Sequence, residues 1–125
     1  MVRTETDSDW VSIQNGVPQG SILGPLLFTV FVSDISESVT AGSYHTYADD
    51  VQHLLTFKTE DATEAFNSAN TVLDNIANYS KNNCLKLNTD KTKYIVIGSR
   101  GNLKTLSEQE LPPLKIKWRY SGAKR

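Results

Sequence analysis

Hydrophobic residues are spaced along this chain in two distinct periods. From Ser21 onward Leu23, Leu27, Val30, Phe31 and Ile35 recur every three or four positions, which predicts a helix over residues 21–35 with regular turns after Pro25. Ala62, Ala65, Phe66, Ala69, Val72, Leu73, Ile76 and Ala77 predict a second helix whose Phe66, Val72, Leu73 and Ile76 face is core. Asp61 is its natural cap, Glu64 three residues on completes a capping box, and Asn82-Asn83 is the stop, since Asn tolerates left-handed backbone. Between the helices, residues 43–57 are rich in Tyr, His, Thr, Val and Phe and break only at Ala48-Asp49-Asp50. They read as two strands joined by a tight turn that carries the acids.

Shorter strand patterns flank this centre. Residues 10–14 read as a strand entering a turn at Asn15-Gly16, and residues 85–88 and 92–98 as two strands about Thr89-Asp90. In the second of these, Tyr94 and Val96 alternate with Lys93, Ile95 and Ile97. Past Ser99 the chain reads as loop until residues 114–120, where apolar and basic residues alternate, and Pro112-Pro113 marks the best break. No internal repeat is present. The expected fold class is α/β (α+β), a small antiparallel sheet backed by two helices.

Length and composition narrow this to one ordinary globular domain: 125 residues, 38% hydrophobic and 22% charged, set aside disordered and fibrous classes. A single cysteine, Cys84, allows no internal disulfide and one thiol ligand, so zinc is not expected and a reducing compartment is suited. No apolar segment follows Met1-Val2-Arg3-Thr4-Glu5 as in a secretory signal, and the most apolar stretch, residues 22–32, falls short of the ~20 residues that cross a bilayer. An intracellular protein is expected, with nucleus and cytoplasm not distinguished. The net charge of −1 conceals segregation: residues 1–80 carry two basic and 11 acidic side chains, residues 81–125 carry 11 basic and three acidic. An acidic half that holds a metal and a basic half that follows phosphates fit this pattern. So does an uneven solvated surface.

Asp49 and Asp50 offer only oxygen ligands, as Mg²⁺ prefers, on a turn whose strands would fix their position. Read alone, such a pair is more often an exposed polar turn. Gly16 and Gly20 flank Val17-Pro18-Gln19, so this backbone can approach a ligand closely, and the helix start behind it offers unpaired N–H groups that attract phosphate. His45 and His53 bracket the acidic turn, yet no further His or Cys stands near them, and ordinary strand positions are expected.

Three blocks, taken in order, resemble the palm of a reverse transcriptase of the non-LTR retrotransposon type. They are Gly16-Val17-Pro18-Gln19-Gly20-Ser21-Ile22-Leu23-Gly24-Pro25-Leu26-Leu27-Phe28, Tyr47-Ala48-Asp49-Asp50 and Asn88-Thr89-Asp90-Lys91-Thr92-Lys93. The likeness runs over about residues 16–98 and includes residues 79–88, where the family more often has Trp at the place of Tyr79. Tyr120-Ser121-Gly122 weakly resembles a Tyr-Leu-Gly element and departs from it at Ser121.

The resemblance implies a partial palm domain over residues 1–111, with residues 112–125 as the start of a thumb-proximal strand or a disordered tail. It implies an RNA-directed DNA polymerase, in which a primer 3′-hydroxyl attacks the α-phosphate of a deoxynucleoside triphosphate on an RNA template by two-metal Mg²⁺ chemistry. Asp49 would be the main metal ligand and Asp50 its acidic partner, both catalytic. Pro18, Gln19 and Gly20 would bind the nucleotide, with Gln19 at the nascent base pair. Lys91 matches an Asn-x-x-Lys-Thr element and is either an acid for the departing pyrophosphate or a solvated turn lysine. Tyr47 either packs under the primer end or fills a hydrophobic role.

The family also places a metal-binding aspartate on an earlier strand, several dozen residues before the Pro-Gln-Gly loop. Only 15 residues precede Gly16, and Asp7 and Asp9 are too close to serve. The chain is therefore expected to lack the third ligand and to be inactive alone, as a degenerate or incomplete retroelement product. The rivals are a non-catalytic nucleic-acid-binding remnant, a single-metal or phospho-acceptor domain, and no function. A phospho-acceptor domain would alternate parallel strands with helices, where this pattern reads as a hairpin.

Overall fold

Residues 20–116 are described by the computed structural model. Pro25 has no N–H to lose in a first helical turn, and it opens helix α1, Gly24–Phe31. The predicted helix of residues 21–35 is thus shorter than its spacing implied. Hydroxyls compete for the backbone along it: Thr29 Oγ1 donates to Pro25 O at 2.9 Å and Ser33 Oγ to Val30 O at 2.8 Å. Past Val32 the chain tightens into a 3₁₀ stretch, Ser33–Ser38. The apolar stripe did locate the helix, but Leu23, Leu27 and Val30 are 60, 55 and 64% exposed, and of its members only Ile35, in the 3₁₀ stretch, is buried.

Strands β1, Ser43–Tyr47, and β2, Asp50–Leu54, pair antiparallel, with Tyr47 opposite Asp50 and Ser43 opposite Leu54. A short 3₁₀ turn, Thr59–Asp61, then leads into α2, Ala62–Asn82. Asp61 is the N-cap residue as expected, yet its side chain makes no capping bond, because the preceding 3₁₀ turn leaves it at φ −97°, ψ 11° rather than extended. One face of α2 supplies most of the core: Ala62, Ala65, Phe66, Val72, Ile76, Ala77 and Ser80 are buried, along with Ile35 from the first 3₁₀ stretch. Phe57 meets Phe66 edge to face, with ring centroids 6.1 Å apart.

The end of α2 differs in detail from the expectation. Asn83 sits at φ −95°, and the left-handed residue is Cys84, at φ 55°. Leu85 N–H donates to Ser80 O at 2.8 Å and Cys84 N–H to Lys81 O at 3.3 Å, the paired bonds of a Schellman motif. Polar ties hold other segments to this helix. Tyr79 Oη donates to Asp34 Oδ1 at 2.5 Å, with Phe31 O at 3.3 Å, and Asn75 Nδ2 donates to Ser38 O at 3.3 Å. Burial, then the Asp34 hydrogen bond and charge, push the Tyr79 phenol up to about 12. Asn70 receives the N–H of Lys115 at 3.0 Å and donates to Pro113 O at 3.1 Å, so a single side chain docks the backbone beyond Pro112.

Two further expectations fail. Residues 85–88 and 92–98 form no strand, since no ladder engages them; Ile95 and Ile97 are 83 and 89% exposed. Residues 100–107, read as loop, form a third helix, α3, Arg100–Ser107, capped by Ser99 Oγ accepting from Asn102 N–H at 3.3 Å. Among the described residues the architecture is α+β, three α-helices and a two-stranded antiparallel sheet. The strand expected at residues 10–14 lies outside the described residues, as does most of that expected at 114–120.

Candidate active site

The acidic turn is a two-residue loop, Ala48-Asp49, between β1 and β2. So short a loop needs a positive φ to match the twist of its strands, and Ala48 takes it at 52°. Asp49 therefore projects from the loop itself, while Asp50 is the first residue of β2 and has its backbone fixed opposite Tyr47. Both carboxylates are exposed. The expectation that the acids sit at the turn of an antiparallel hairpin matches this arrangement.

Alternation along the strands sorts the hairpin into two faces. Asp50, Gln52 and Leu54 share one face with Ser43, His45 and Tyr47; Val51 and His53 share the other with Tyr44 and Thr46. Exposure shows which face turns toward the rest of the protein. Tyr47 and Leu54 are 78 and 66% exposed, whereas Tyr44 and Val51 are 41 and 38% exposed and His53 is half-buried. Asp50 thus stands on the open face, beside Tyr47, His45 and Gln52.

His53, read from sequence as an ordinary strand residue, has a specific partner. Its Nε2–H donates to Ala41 O at 2.7 Å, since a carbonyl only accepts. Gly42, at φ +78°, lies between that carbonyl and β1.

The remaining candidates lie apart or outside the described residues. Gly20 is exposed at φ +83°, and among the described residues a Cβ there would meet no atom within 4 Å. Pro18 and Gln19 lie outside the described residues. Lys91 sits in the turn after Asn88 as expected: its N–H donates to Asn88 Oδ1 at 3.2 Å, while Thr92 N–H and Oγ1 both donate to Asn88 O, so Asn88 organises the loop. Among the described residues no ion pair joins Lys91 to Asp49 or Asp50, and no three His, Cys, Asp or Glu side chains cluster to hold a metal. An apolar cleft of about 310 Å³, lined in part by Phe66, Tyr94, Leu103, Leu106 and Pro112, includes none of the candidate residues. No helix of the described residues is long and apolar enough to cross a membrane.

The described residues thus give an α+β arrangement with paired, exposed acids on a hairpin tip. Comparison of sequences assigns the family. Residues 2–120 match the family described as reverse transcriptase (RNA-dependent DNA polymerase), and the chain belongs to that family. It is 36% identical over 107 residues to a probable RNA-directed DNA polymerase from transposon BS of Drosophila melanogaster, covering 78% of this chain and 11% of that protein. It is 30% identical over 95 residues to the RNA-directed DNA polymerase from mobile element jockey of the same organism, covering 70% of this chain and 10% of that protein. The likeness is thus to part of a reverse transcriptase of the non-LTR type, and the chain spans about a tenth of the length of the curated relatives it matches. No solved structure matches it.

Proposed function

We propose that residues 1–111 form part of the palm of an RNA-directed DNA polymerase, with residues 112–125 leading toward its thumb. The Asp49-Asp50 turn is then the share of the catalytic centre that this chain supplies. What carries the reading is the two-residue loop that presents both carboxylates to solvent at the tip of an antiparallel hairpin, in a chain of the reverse transcriptase family. Asp49 acts as the main metal ligand and Asp50 as its partner. Their oxygen-only donor set fits Mg²⁺. A bound ion supplies the Lewis acidity for transfer of a nucleotide to a primer 3′-hydroxyl.

The other residues act around that step. Pro18, Gln19 and Gly20 shape the loop at the nascent base pair, and the lack of a Cβ at Gly20 lets its backbone approach a nucleotide. Lys91, exposed and free of any ion pair among the described residues, neutralises triphosphate charge or protonates the departing pyrophosphate. RNA template, DNA primer and deoxynucleoside triphosphates are the partners of the whole enzyme. Among the described residues only Asp49 and Asp50 are assigned to the centre, fewer donors than two ions need, and the 125-residue chain alone is expected to extend no primer.

A second reading, a non-catalytic nucleic-acid-binding domain, is favoured by the exposure of Lys81, Lys86, Lys91, Lys93, Arg100, Lys104 and Lys115. Mn²⁺ titration followed by NMR tests the metal reading. The Ala48, Asp49 and Asp50 amides should broaden first in the natural chain and not in Asp49→Ala; an unaffected turn would remove the assignment. Template-dependent extension by the chain, abolished in Asp49→Ala, would overturn the proposed inactivity.

A further inference from the structure

We propose that Gly42 and His53 form a clasp at the base of the β1–β2 hairpin that aims the Asp49-Asp50 turn. This makes His53 a positioning residue of the nucleotidyl-transfer site, an inference that rests on the reading of that turn as the metal-binding part of the site. A two-stranded hairpin is marginal by itself in water. This one has five residues in each strand, and His53 alone among them is not exposed. Something other than its own burial must fix its direction.

The base of the hairpin supplies that fixing. The ladder ends where Ser43 pairs with Leu54, and the His53 ring reaches past this end to Ala41 O. Gly42 makes the reach possible. Its positive φ folds the incoming chain beneath the ring, and a Cβ at that position would run into Leu54 O and lie 2.9 Å from His53 Nε2. The ring occupies the space that the glycine leaves empty, so each residue depends on the other.

The leverage is large. Asp50 stands three residues from His53, roughly 10 Å along the strand. Play of about 20° at the base would carry the carboxylates roughly 3 Å, well beyond the ~0.5 Å within which a functional constellation has to be held.

Three variants of the full chain test the clasp: His53→Leu, His53→Gln and Gly42→Ala. Amide exchange reports strand opening, and residual dipolar couplings of the Ala48, Asp49 and Asp50 N–H vectors report the aim of the turn relative to α2. His53→Leu should lower protection of the β1 and β2 amides by about tenfold and average the turn couplings, with α2 unchanged. His53→Gln, which keeps an N–H donor, should recover much of both. Gly42→Ala should reproduce the loss with His53 in place. Natural protection and couplings in His53→Leu, no rescue by His53→Gln, or equal loss of protection in α2 would each overturn the clasp. Neither readout involves metal or nucleotide, so failure here is distinct from failure of the Mn²⁺ titration.

Discussion

Replacing Tyr79 with Phe keeps the ring and deletes the hydroxyl that binds Asp34 Oδ1 at 2.5 Å. That bond ties the last turns of α2 to the 3₁₀ stretch after α1. A well-shielded hydrogen bond to a charged group is worth about 1.5–3 kcal/mol, and because solvent reaches this pair, Tyr79→Phe should cost about 1 kcal/mol. Burial first, then the Asp34 hydrogen bond and charge, disfavour the phenolate and raise the phenol from 10.0 to about 12. The sign of that shift fixes the pH dependence. The folded chain holds the phenolic proton more tightly than the unfolded chain, so the contribution is whole below pH 10.0 and is lost as pH rises toward about 12. Urea unfolding at about pH 8 and about pH 11 should show the gap between natural chain and variant narrowing as phenolate forms. Equal stabilities at the lower pH, or a gap that widens with pH, would refute the reasoning.

Two further outcomes follow from the end of α2 and from the basic half. Cys84 holds a left-handed φ of 55° with its thiol exposed, so Cys84→Gly should raise stability by about 0.5–1 kcal/mol, read as a higher urea midpoint at unchanged slope; a lower midpoint would contradict this. If the basic half binds nucleic acid through phosphates, neutralising Lys115, Lys117 and Arg119 should flatten the salt slope of primer-template binding by up to about three units, and Asp49→Ala should not weaken binding. No binding at low salt, or an unchanged slope, would remove that reading.

The features legible in the sequence were those with a local cause. The α2 stripe carries its own period over 21 residues, and its ends fell where Asp61 and Asn82-Asn83 pointed. The hairpin was legible because two β-rich runs meet at a gap too short for anything but a turn, and the family blocks then pointed to Asp49 and Asp50 as the candidate acids. What failed depended on partners or on competing local bonds. Residues 92–98 have strand composition, but a strand is defined by its ladder, and none engages them. The stripe on α1 marked a helix whose apolar side chains nonetheless remain exposed, and serine hydroxyls turned its last part to 3₁₀ geometry. Gly101 and Asn102 disguised α3, although Ser99 was a capping residue in plain view. The tie from His53 to Ala41 had no local signature, because its length is set by the fold at Gly42.

Register is where fold and chemistry meet in this chain. With a two-residue loop, Tyr47 faces Asp50, and Asp50 stands on the open side with His45 and Gln52. Side chains alternate, so a slip of one residue would move Asp50 to the side of Tyr44, the less exposed one. There a carboxylate would lose solvent and any ion approaching from it. Nothing in the strand composition forbids the slip, because both faces carry polar and aromatic residues. The constraints come from the ends: Ala48 accepts a positive φ that keeps the loop at two residues, and His53 reaches Ala41 only in the observed pairing. Two residues outside the acidic pair, Ala48 and His53, thus hold the hairpin in the register that keeps Asp50 open to solvent.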